Sequence, residues 1–360
     1  MVEWLAGGRI RGTSTERTTT TGFNPVAAVA GGWVELARTT LGSANSNIDV
    51  TGFTDKRYYM VLTNTLARSA DSTEEDTVLG NASFDTGSNY STRLSQNGVA
   101  DITFTSQGSF NSNIGSNSQC FHTAYFSNLS SKEKLMISHK AEQKTAGAGT
   151  APSRFEYTGK WSNTSNVMDR IRQYTGSGDT FNTGSEIVVL GWDPTDTHTT
   201  NFWEELLSVD PNVAGTSYTT SSFTAKKYLW IQIQKDFYGT STSKFKLRFN
   251  GDTGSNYADR YSINGGAEVT NLSGTLANIS ETADDSELFT NIFIINNSAN
   301  EKLGTSHTVR SSTAGAGTAP NRDEGVFKWT NTASQITQLT ILAGNASWIG
   351  QLRIRVWGSD

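Results

Sequence analysis

One eight-residue segment, TAGAGTAP, occurs twice in this chain, at 145–152 and 313–320. A Lys-Trp pair follows each copy at the same distance, at 160–161 and 328–329. The spacing of 168 residues between the copies is far longer than the roughly 20–50 residues of a solenoid or propeller repeat. The sequence therefore predicts one complete domain used twice.

Other motifs recur in the same order in both halves. They are Trp-x-Glu-Leu (33–36, 203–206), Lys-x-Tyr (56–58, 226–228), DTGSNY (85–90, 252–257), Glu-Lys-Leu (133–135, 301–303) and a histidine (His139, His307). Matched motifs in matched order require matched topology, so we expect the two halves to share one fold.

Composition narrows the class of protein. Charged residues make up 18% of the chain, and the net charge is −5, which argues against a general nucleic-acid binder because such a protein needs a basic surface. The single cysteine, Cys120, excludes an intramolecular disulfide and a Cys-based zinc site. Abundant Ser, Thr, Asn and Gly favour turn-rich β-structure.

Apolar and polar residues alternate in several short segments, for example at 245–249 and 352–357. This period of two is typical of half-buried antiparallel strands. The sequence predicts an all-β chain of two tandem homologous antiparallel β-sandwich domains of jelly-roll-like type. We expect an extended N-terminal arm at 1–31, sandwiches at 32–194 and 202–360, and a linker at 195–201.

The N-terminal arm is polar, threonine-rich and punctuated by glycine. It holds too little apolar surface to order itself. It is either a disordered terminus or an arm ordered against a neighbouring subunit, and in the second case Arg9, Arg11 and Arg17 are the predicted intersubunit contacts.

TAGAGTAP contains small residues and a proline, and no acid, base or nucleophile. We expect either a tightly packed crossing loop or a surface that a neighbouring chain approaches closely. The candidate packing or interface residues are Ala146, Gly147, Gly149, Ala314, Gly315 and Gly317. DTGSNY has too few carboxylates for an EF-hand-like calcium loop, so a structural turn is favoured there.

Catalytic patterns are missing from the sequence. There is no Gly-x-Ser-x-Gly elbow, and neither His139 nor His307 has an evident partner in a recognisable frame. Residues duplicated in both domains usually serve the fold. The sequence therefore predicts no enzymatic activity, no cofactor and no metal site.

The aromatic residues divide into two groups. Trp33, Trp161, Trp203 and Trp329 recur in both halves and are predicted to lie in the core. In the second half, Phe327 and Trp329 are predicted to face that core and Lys328 to face solvent, because side chains alternate along a strand. The unmatched aromatics are candidates for surface recognition: Tyr125, Trp230, Tyr238, Tyr261 and Trp348.

Several longer segments resemble a known group of proteins. They are Trp-x-Glu-Leu-x-x-Thr-Thr-Leu-Gly (33–42), Lys-x-Tyr-Tyr-Met-Val-Leu (56–62), Gly-Ser-Glu-Ile-Val-Val-Leu-Gly-x-Asp-Pro (184–194), Phe-Asn-Gly-Asp-Thr-Gly-Ser-Asn-Tyr (249–257) and TAGAGTAP-x-Arg. Together they resemble virion structural proteins of tailed phages and other viruses of environmental prokaryotes. The resemblance covers nearly the whole chain, and the arm at 8–17 looks like the arm of such proteins.

The resemblance implies a non-enzymatic structural role in a virus particle, as a coat or decoration on the capsid or a tail appendage. The expected partners are the chain itself, as a homo-oligomer, and other virion proteins. We expect no nucleic-acid binding and no membrane insertion. The expected location is the virion, after synthesis in the host cytoplasm without a signal peptide.

Two alternatives stay open. One is a pair of carbohydrate-binding modules that attach to a host-surface glycan. The other is a double jelly-roll major capsid protein, although a helix-poor chain of this length is short for that role.

Overall fold

A computed structural model describes residues 29–30, 32–67, 75–111, 118–176, 178–198, 200–235, 243–284, 287–311, 315–343 and 348–360. The strand pairings in these ranges are all antiparallel. No helix in them is long and apolar enough to cross a membrane.

Within the described ranges, fourteen strands precede residue 200. They are β1 (Val29–Ala30), β2 (Val34–Thr40), β3 (Asn47–Thr51), β4 (Tyr58–Thr65), β5 (Glu75–Asn81), β6 (Ser83–Phe84), β7 (Tyr90–Gln96), β8 (Ile102–Gln107), β9 (Cys120–Ser127), β10 (Lys134–Glu142), β11 (Ser153–Trp161), β12 (Arg170–Thr175), β13 (Glu186–Trp192) and β14 (Thr197–His198). The first domain has a large sheet in the order β2-β13-β4-β9-β10-β11-β7-β8 and a small sheet in the order β3-β12-β5-β6. The short strands β1 and β14 pair with each other.

The second domain continues the numbering. Its strands are β15 (Glu204–Val209), β16 (Asn212–Gly215), β17 (Ser217–Thr219), β18 (Tyr228–Lys235), β19 (Ser243–Phe249), β20 (Tyr257–Ile263), β21 (Val269–Gly274), β22 (Ala277–Asp284), β23 (Leu288–Ile295), β24 (Lys302–Arg310), β25 (Asn321–Trp329), β26 (Leu339–Leu342) and β27 (Trp348–Ser359). The large sheet runs β15-β27-β18-β23-β24-β25-β20-β21, with β16 also paired to β27, and the small sheet runs β17-β26-β19-β22.

The two large sheets have the same strand order once equivalent strands are matched. The small sheets agree in their first three positions and differ in the fourth, which is β6 in one and β22 in the other. The predicted all-β fold of two tandem antiparallel sandwiches is confirmed.

Alternation along the strands separates an inner and an outer face of each large sheet. In β10, Met136 and Ser138 are buried towards the small sheet, whereas Leu135 and Ile137 are exposed on the opposite face. Each sandwich has its own apolar core between its two sheets. The inner face of each large sheet therefore packs in the core, and the outer face is available for other contacts.

A buried tryptophan in each core explains the DTGSNY motif. Trp161 and Trp329 are fully buried, which confirms the prediction for these two residues. Their indole Nε1 atoms donate hydrogen bonds of 2.7 Å to Asp85 and Asp252 respectively. The aspartate of each turn also accepts from the asparagine four residues later, so the turn is structural.

A buried lysine explains the Glu-Lys-Leu motif. The ammonium groups of Lys134 and Lys302 each donate to two backbone carbonyl oxygens at 2.7–2.9 Å. Each also lies 5.8 Å from the ring centroid of the buried tryptophan of its own domain. A buried ammonium needs such partners, and no local sequence pattern predicts this role.

The predicted core position is confirmed for Trp203, which is buried, while Trp33 is partly buried; neither lies between the two sheets of its own sandwich. Trp33 and Trp203 belong instead to a third apolar cluster, which lies between the two domains. The reason is that the outer faces of the large sheets are covered there, so an apolar residue on an outer face is also buried.

Candidate functional site

The two domains pack together through the outer faces of their large sheets. The first domain contributes Met60, Leu62, Phe121, Ala141, Val188 and Leu190, and the second contributes Phe202, Trp203, Tyr228, Phe293, Ile295, Leu303, Val326 and Trp357. This cluster excludes water from one side of the junction and makes the two sandwiches one packed unit.

The first TAGAGTAP loop, residues 145–152, docks on the second domain. The Lys328 ammonium donates to the backbone oxygens of Thr145 at 2.6 Å and Gln143 at 3.2 Å. The Gly147 N–H donates to the Glu301 carboxylate at 2.5 Å. The prediction that Lys328 faces solvent is therefore wrong: its side chain is 0% exposed, because the loop covers it.

Further contacts hold the far end of the same loop. The Arg260 guanidinium donates to the Pro152 carbonyl at 2.9 Å, and the Ser273 N–H donates to the Ala148 carbonyl at 2.8 Å. Just beyond the loop, Arg154 forms an ion pair with Glu268 of the second domain. We call Arg260, Glu268, Ser273, Glu301, Leu303 and Lys328 the acceptor surface of the second domain.

Two glycines at this junction adopt a positive φ, +87° at Gly147 and +69° at Gly98, a conformation that glycine adopts without strain. At Gly98, a Cβ atom would lie 2.5 Å from Cγ of Glu268. Glycine is therefore favoured by the backbone conformation at both positions, and at Gly98 also by the side chain of Glu268.

A polar cluster lies at the centre of the junction. His139 is paired across strands with Glu156, and His307 is paired in the same way with Glu324. The two imidazole rings meet with their centroids 3.9 Å apart. Ligand atoms of His139, Glu156 and His307 all lie within 4.8 Å of one another. The duplication therefore brings two copies of one His-Glu pair together.

Charged groups surround this cluster. Arg154 pairs with one carboxylate oxygen of Glu156 and, at 3.3 Å, with Glu324. Glu324 lies 3.7 Å from Nε2 of His307, a buried nitrogen that has no hydrogen-bond partner. Arg322 lies 3.2 Å from Glu324 on its outer side.

Burial sets the protonation of the cluster. Desolvation, followed by the nearby cationic or imidazole groups, lowers the pKa of His139 well below its usual value and also lowers the pKa of His307. Desolvation, with the neighbouring Glu324, raises the pKa of Glu156 to about 7 despite Arg154. At neutral pH the imidazoles are therefore neutral and carry a free lone pair, the form that binds a cation such as Zn²⁺.

The structure separates the two sets of candidate loop residues. Ala146 and Gly149 are exposed at the edge of the docked loop, and Gly147 is half-buried in it. In the second copy, Gly315 and Gly317 are exposed. Ala314 and the arm residues Arg9, Arg11 and Arg17 lie outside the described residues.

The candidate surface aromatics are brought into packing contacts rather than into one exposed platform. Tyr125 and Trp230 are half-buried, and Tyr261 is buried. Trp230 stacks on Phe293 and donates from Nε1 to Asn291 at 2.6 Å. Tyr238 lies outside the described residues, as does the side chain of Trp348.

One open surface cleft of 480 Å³ lies at the edge of the first sandwich. Its polar lining includes Asp76, Gln107, Asn111, Arg172 and Tyr174. Such a combination of a ring, amides and a carboxylate is suited to a small polar ligand.

No family model and no curated protein matches the chain. Among solved structures, the chain is similar to the mouse laminin alpha1 chain, domains LG4-5, at 11% sequence identity. The match covers 91% of each chain with a TM-score of 0.21. A likeness at this level carries no argument about fold or function.

Proposed function

We propose that this chain is a non-enzymatic structural protein of a virus particle. It coats or decorates the capsid or a tail appendage by associating with copies of itself and with other virion proteins. The motifs that resemble virion structural proteins of prokaryotic viruses support the viral part of this proposal.

One observation carries the structural part: the repeated module binds a copy of itself. The first domain inserts its TAGAGTAP loop into the acceptor surface of the second, and the outer sheet faces bury a shared apolar cluster. A module with a surface for its own copy is the element from which symmetric or helical assemblies are built.

The repeated polar residues support a role without catalysis. Asp85 and Asp252 accept hydrogen bonds from buried indoles, and Lys134 and Lys302 bind backbone carbonyls inside the fold. Each of these groups is occupied by the protein itself, so its repetition is explained by stability.

The test is the assembly state of the purified full chain without glycan. Light scattering after size-exclusion chromatography, followed by negative-stain imaging, should show a defined oligomer or polymer that grows with concentration. A chain that stays monomeric up to the highest soluble concentration contradicts self-association.

A pair of carbohydrate-binding modules is the second candidate, and the cleft around Tyr174 is the observation that favours it. In that case the monomer binds a glycan on an array, and Tyr174→Ala abolishes the binding at a temperature where the variant is still folded, since Tyr174 also packs against the core. Glycan binding that survives this substitution removes the cleft from consideration.

A further inference from the structure

The junction uses different parts of two domains that are copies of one module. The first domain contributes its loop, and the second contributes its acceptor surface. Such a contact is heterologous, since the two surfaces that meet are not equivalent. This contact therefore does not use two surfaces: the acceptor surface of the first domain and the TAGAGTAP loop of the second.

The acceptor surface of the first domain is exposed. By sequence correspondence with the second domain it consists of Arg93, Asp101, Ser106, Glu133, Leu135 and Lys160. Leu135 is 54% exposed, whereas its counterpart Leu303 is 0% exposed. The next outward residue of β10, Ile137, is 61% exposed. Two large aliphatic side chains side by side in water mark a surface for a partner.

The loop of the second domain is exposed as well. Every residue of 315–320 is exposed, whereas Ala148 and Ala151 of the first copy are buried by docking. Gly315 has a φ of +90°, against +87° for Gly147. The described part of the second loop thus starts in the backbone conformation of the docked loop.

The apolar contacts beside the loop are also duplicated. Phe121 and Ala141 face each other across β9 and β10 and pack with Leu303 in the interdomain cluster. Their counterparts, Phe289 and Val309, face each other across β23 and β24 and are each 43% exposed. These two residues match the exposed Leu135 in kind and in position.

Polar partners correspond in the same way. The contacts predicted by correspondence are Gly315 N–H to the Glu133 carboxylate, Ser106 N–H to the Ala316 carbonyl, Arg93 to the Pro320 carbonyl, Lys160 to the Ser311 carbonyl, and Arg322 to Asp101. Each pair is complementary in charge or in donor and acceptor.

We propose that the second domain of one chain docks on the first domain of a second copy, with the geometry of the junction inside the chain. The resulting assembly is head-to-tail, and it grows as an open filament or closes as a ring according to the rotation at each step. The proposal rests on the structural role proposed above and specifies how that self-association occurs.

Two variants disable one end each. Leu135→Asp places a charge on the acceptor surface of the first domain, and Ala316→Glu places a bulky anion on the second loop, next to Gly315, the residue expected to contact Glu133. Both positions are exposed within the chain, so neither variant disturbs a core. Thr51→Asp, at the exposed end of β3, is the matched control.

Sedimentation velocity of the full chain measures the outcome. The wild type and Thr51→Asp should form large species, and each end variant alone should sediment as a monomer. An equimolar mixture of the two end variants has one intact junction left, so it should stop at the dimer. This limit of two distinguishes a head-to-tail contact from a symmetric one.

Two results overturn the proposal, and they differ. If the wild type and both end variants assemble alike, the chain self-associates through another surface, and the structural role survives. If the wild type stays monomeric, these surfaces serve the chain's own N-terminal residues or a different partner, and self-association fails altogether.

A second inference rests on the central polar cluster alone. His139, His307 and Glu156 place two imidazoles and a carboxylate within reach of one point, and Nε2 of His307 is buried without a hydrogen-bond partner. Arg154 binds one carboxylate oxygen of Glu156, so the other carboxylate oxygen is the one that can act as a metal ligand. We infer that this cluster binds a divalent transition-metal ion such as Zn²⁺ between the two domains.

The donor set fits this class of ion. Zn²⁺ takes imidazole nitrogen and carboxylate oxygen at about 2.0–2.2 Å in tetrahedral geometry. Ligand atoms at such a site are about 3.3 Å apart, so side chains whose ligand atoms now lie within 4.8 Å of one another need to approach by up to about 1.5 Å. Glu324 is placed to supply the fourth ligand, since it lies 3.7 Å from His307.

Titration of the full chain with Co²⁺ as a spectroscopic probe tests this inference. The wild type should show the visible absorption of tetrahedral Co²⁺, displaced by one equivalent of Zn²⁺, and the domains should melt at a higher temperature with metal. The double variant His139→Asn, His307→Asn should lose the band, whereas Glu204→Gln, at an exposed site, should keep it. No visible band in the wild type, or the same band in the double variant, overturns the site.

Discussion

The two TAGAGTAP loops have the same sequence and opposite environments. The loop at 145–152 is partly covered by the second domain, with Ala148, Ala151 and Pro152 buried, while the described part of the loop at 313–320 is exposed throughout. The acceptor surfaces differ in the reverse sense, since Lys328 is buried and Lys160 is 48% exposed. A repeated motif therefore sets the same local conformation in both loops. The role of each loop differs, because the second domain of the same chain packs only against the first loop.

Substitutions in the two sandwich cores should have the largest effects on stability, and there the two copies should behave alike. Trp161→Ala and Trp329→Ala should each destabilise their own domain by about 3–5 kcal/mol, the usual cost of emptying a buried aromatic site. Each substitution also leaves an aspartate carboxylate without its indole donor. Chemical denaturation followed by fluorescence measures both. A near-neutral change for either tryptophan would move that residue out of the core and break the equivalence.

The repeated lysines should behave differently from each other. Lys328→Met removes a buried ammonium that binds two loop carbonyls, and should destabilise the chain by about 1–3 kcal/mol. Lys160→Met disrupts an exposed pair with Glu133 and should cost no more than about 0.5 kcal/mol. Both are measured by thermal denaturation in the Ala316→Glu background, which is designed to block the proposed contact between chains and does not alter the neighbours of Lys160. Equal costs would mean that the loop is not docked in solution.

The polar cluster at the junction should make the free energy of unfolding decrease both as the pH falls and as the pH rises. The pKa values of His139 and His307 are lowered on folding, so their contribution is present above the unfolded pKa near 6.5 and is lost as the pH falls below it. The pKa of Glu156 is raised to about 7, so its contribution is complete below the unfolded value and is lost as the pH rises through about 7.

Melting temperatures from pH 5 to 8 separate these contributions, with Arg154, Arg322, Glu268 and Glu324 as the charged neighbours. The variant with both histidines changed to asparagine should lose less stability between pH 6.5 and 5 than the wild type. Glu156→Gln should lose less between pH 6 and 8. Parallel curves for all three proteins would show that the cluster is not buried at the junction.

Deleting residues 1–31 should have the smallest effect on the fold. It removes the two-residue pairing of β1 with β14 and should change the unfolding free energy by less than about 1 kcal/mol. If the arm is an intersubunit tie, the same deletion should weaken assembly, as seen in the oligomer mass. Assembly that is unchanged by the deletion argues against that role for Arg9, Arg11 and Arg17.

Much of the fold follows from local pattern. The repeated motifs predict two equal domains, the period of two predicts their strands, and the paired tryptophans predict a core position in each domain. The same reasoning failed at Lys328, and it did not predict that Trp33 and Trp203 lie in a cluster between the domains. Alternation tells which residues share a face, but an outer face is exposed or covered according to a contact between distant parts of the chain.

The sequence pattern likewise predicted only part of the candidate functional site. His139 and His307 have no partner in sequence, because their neighbours are cross-strand residues and each other. A signal was available nonetheless: each histidine precedes a glutamate by 17 residues in both copies, the separation of a cross-strand pair in a hairpin joined by TAGAGTAP.

By itself, the sequence determined the module, its duplication, its strands and the backbone of its loop, because these depend on side-chain pattern and on glycine at a positive φ. Tertiary structure alone decided that the first loop docks and the second stays exposed. Two identical loops and two equivalent acceptor surfaces allow a pairing in either sense. The folded chain makes one heterologous contact, so one loop and one acceptor surface are left exposed.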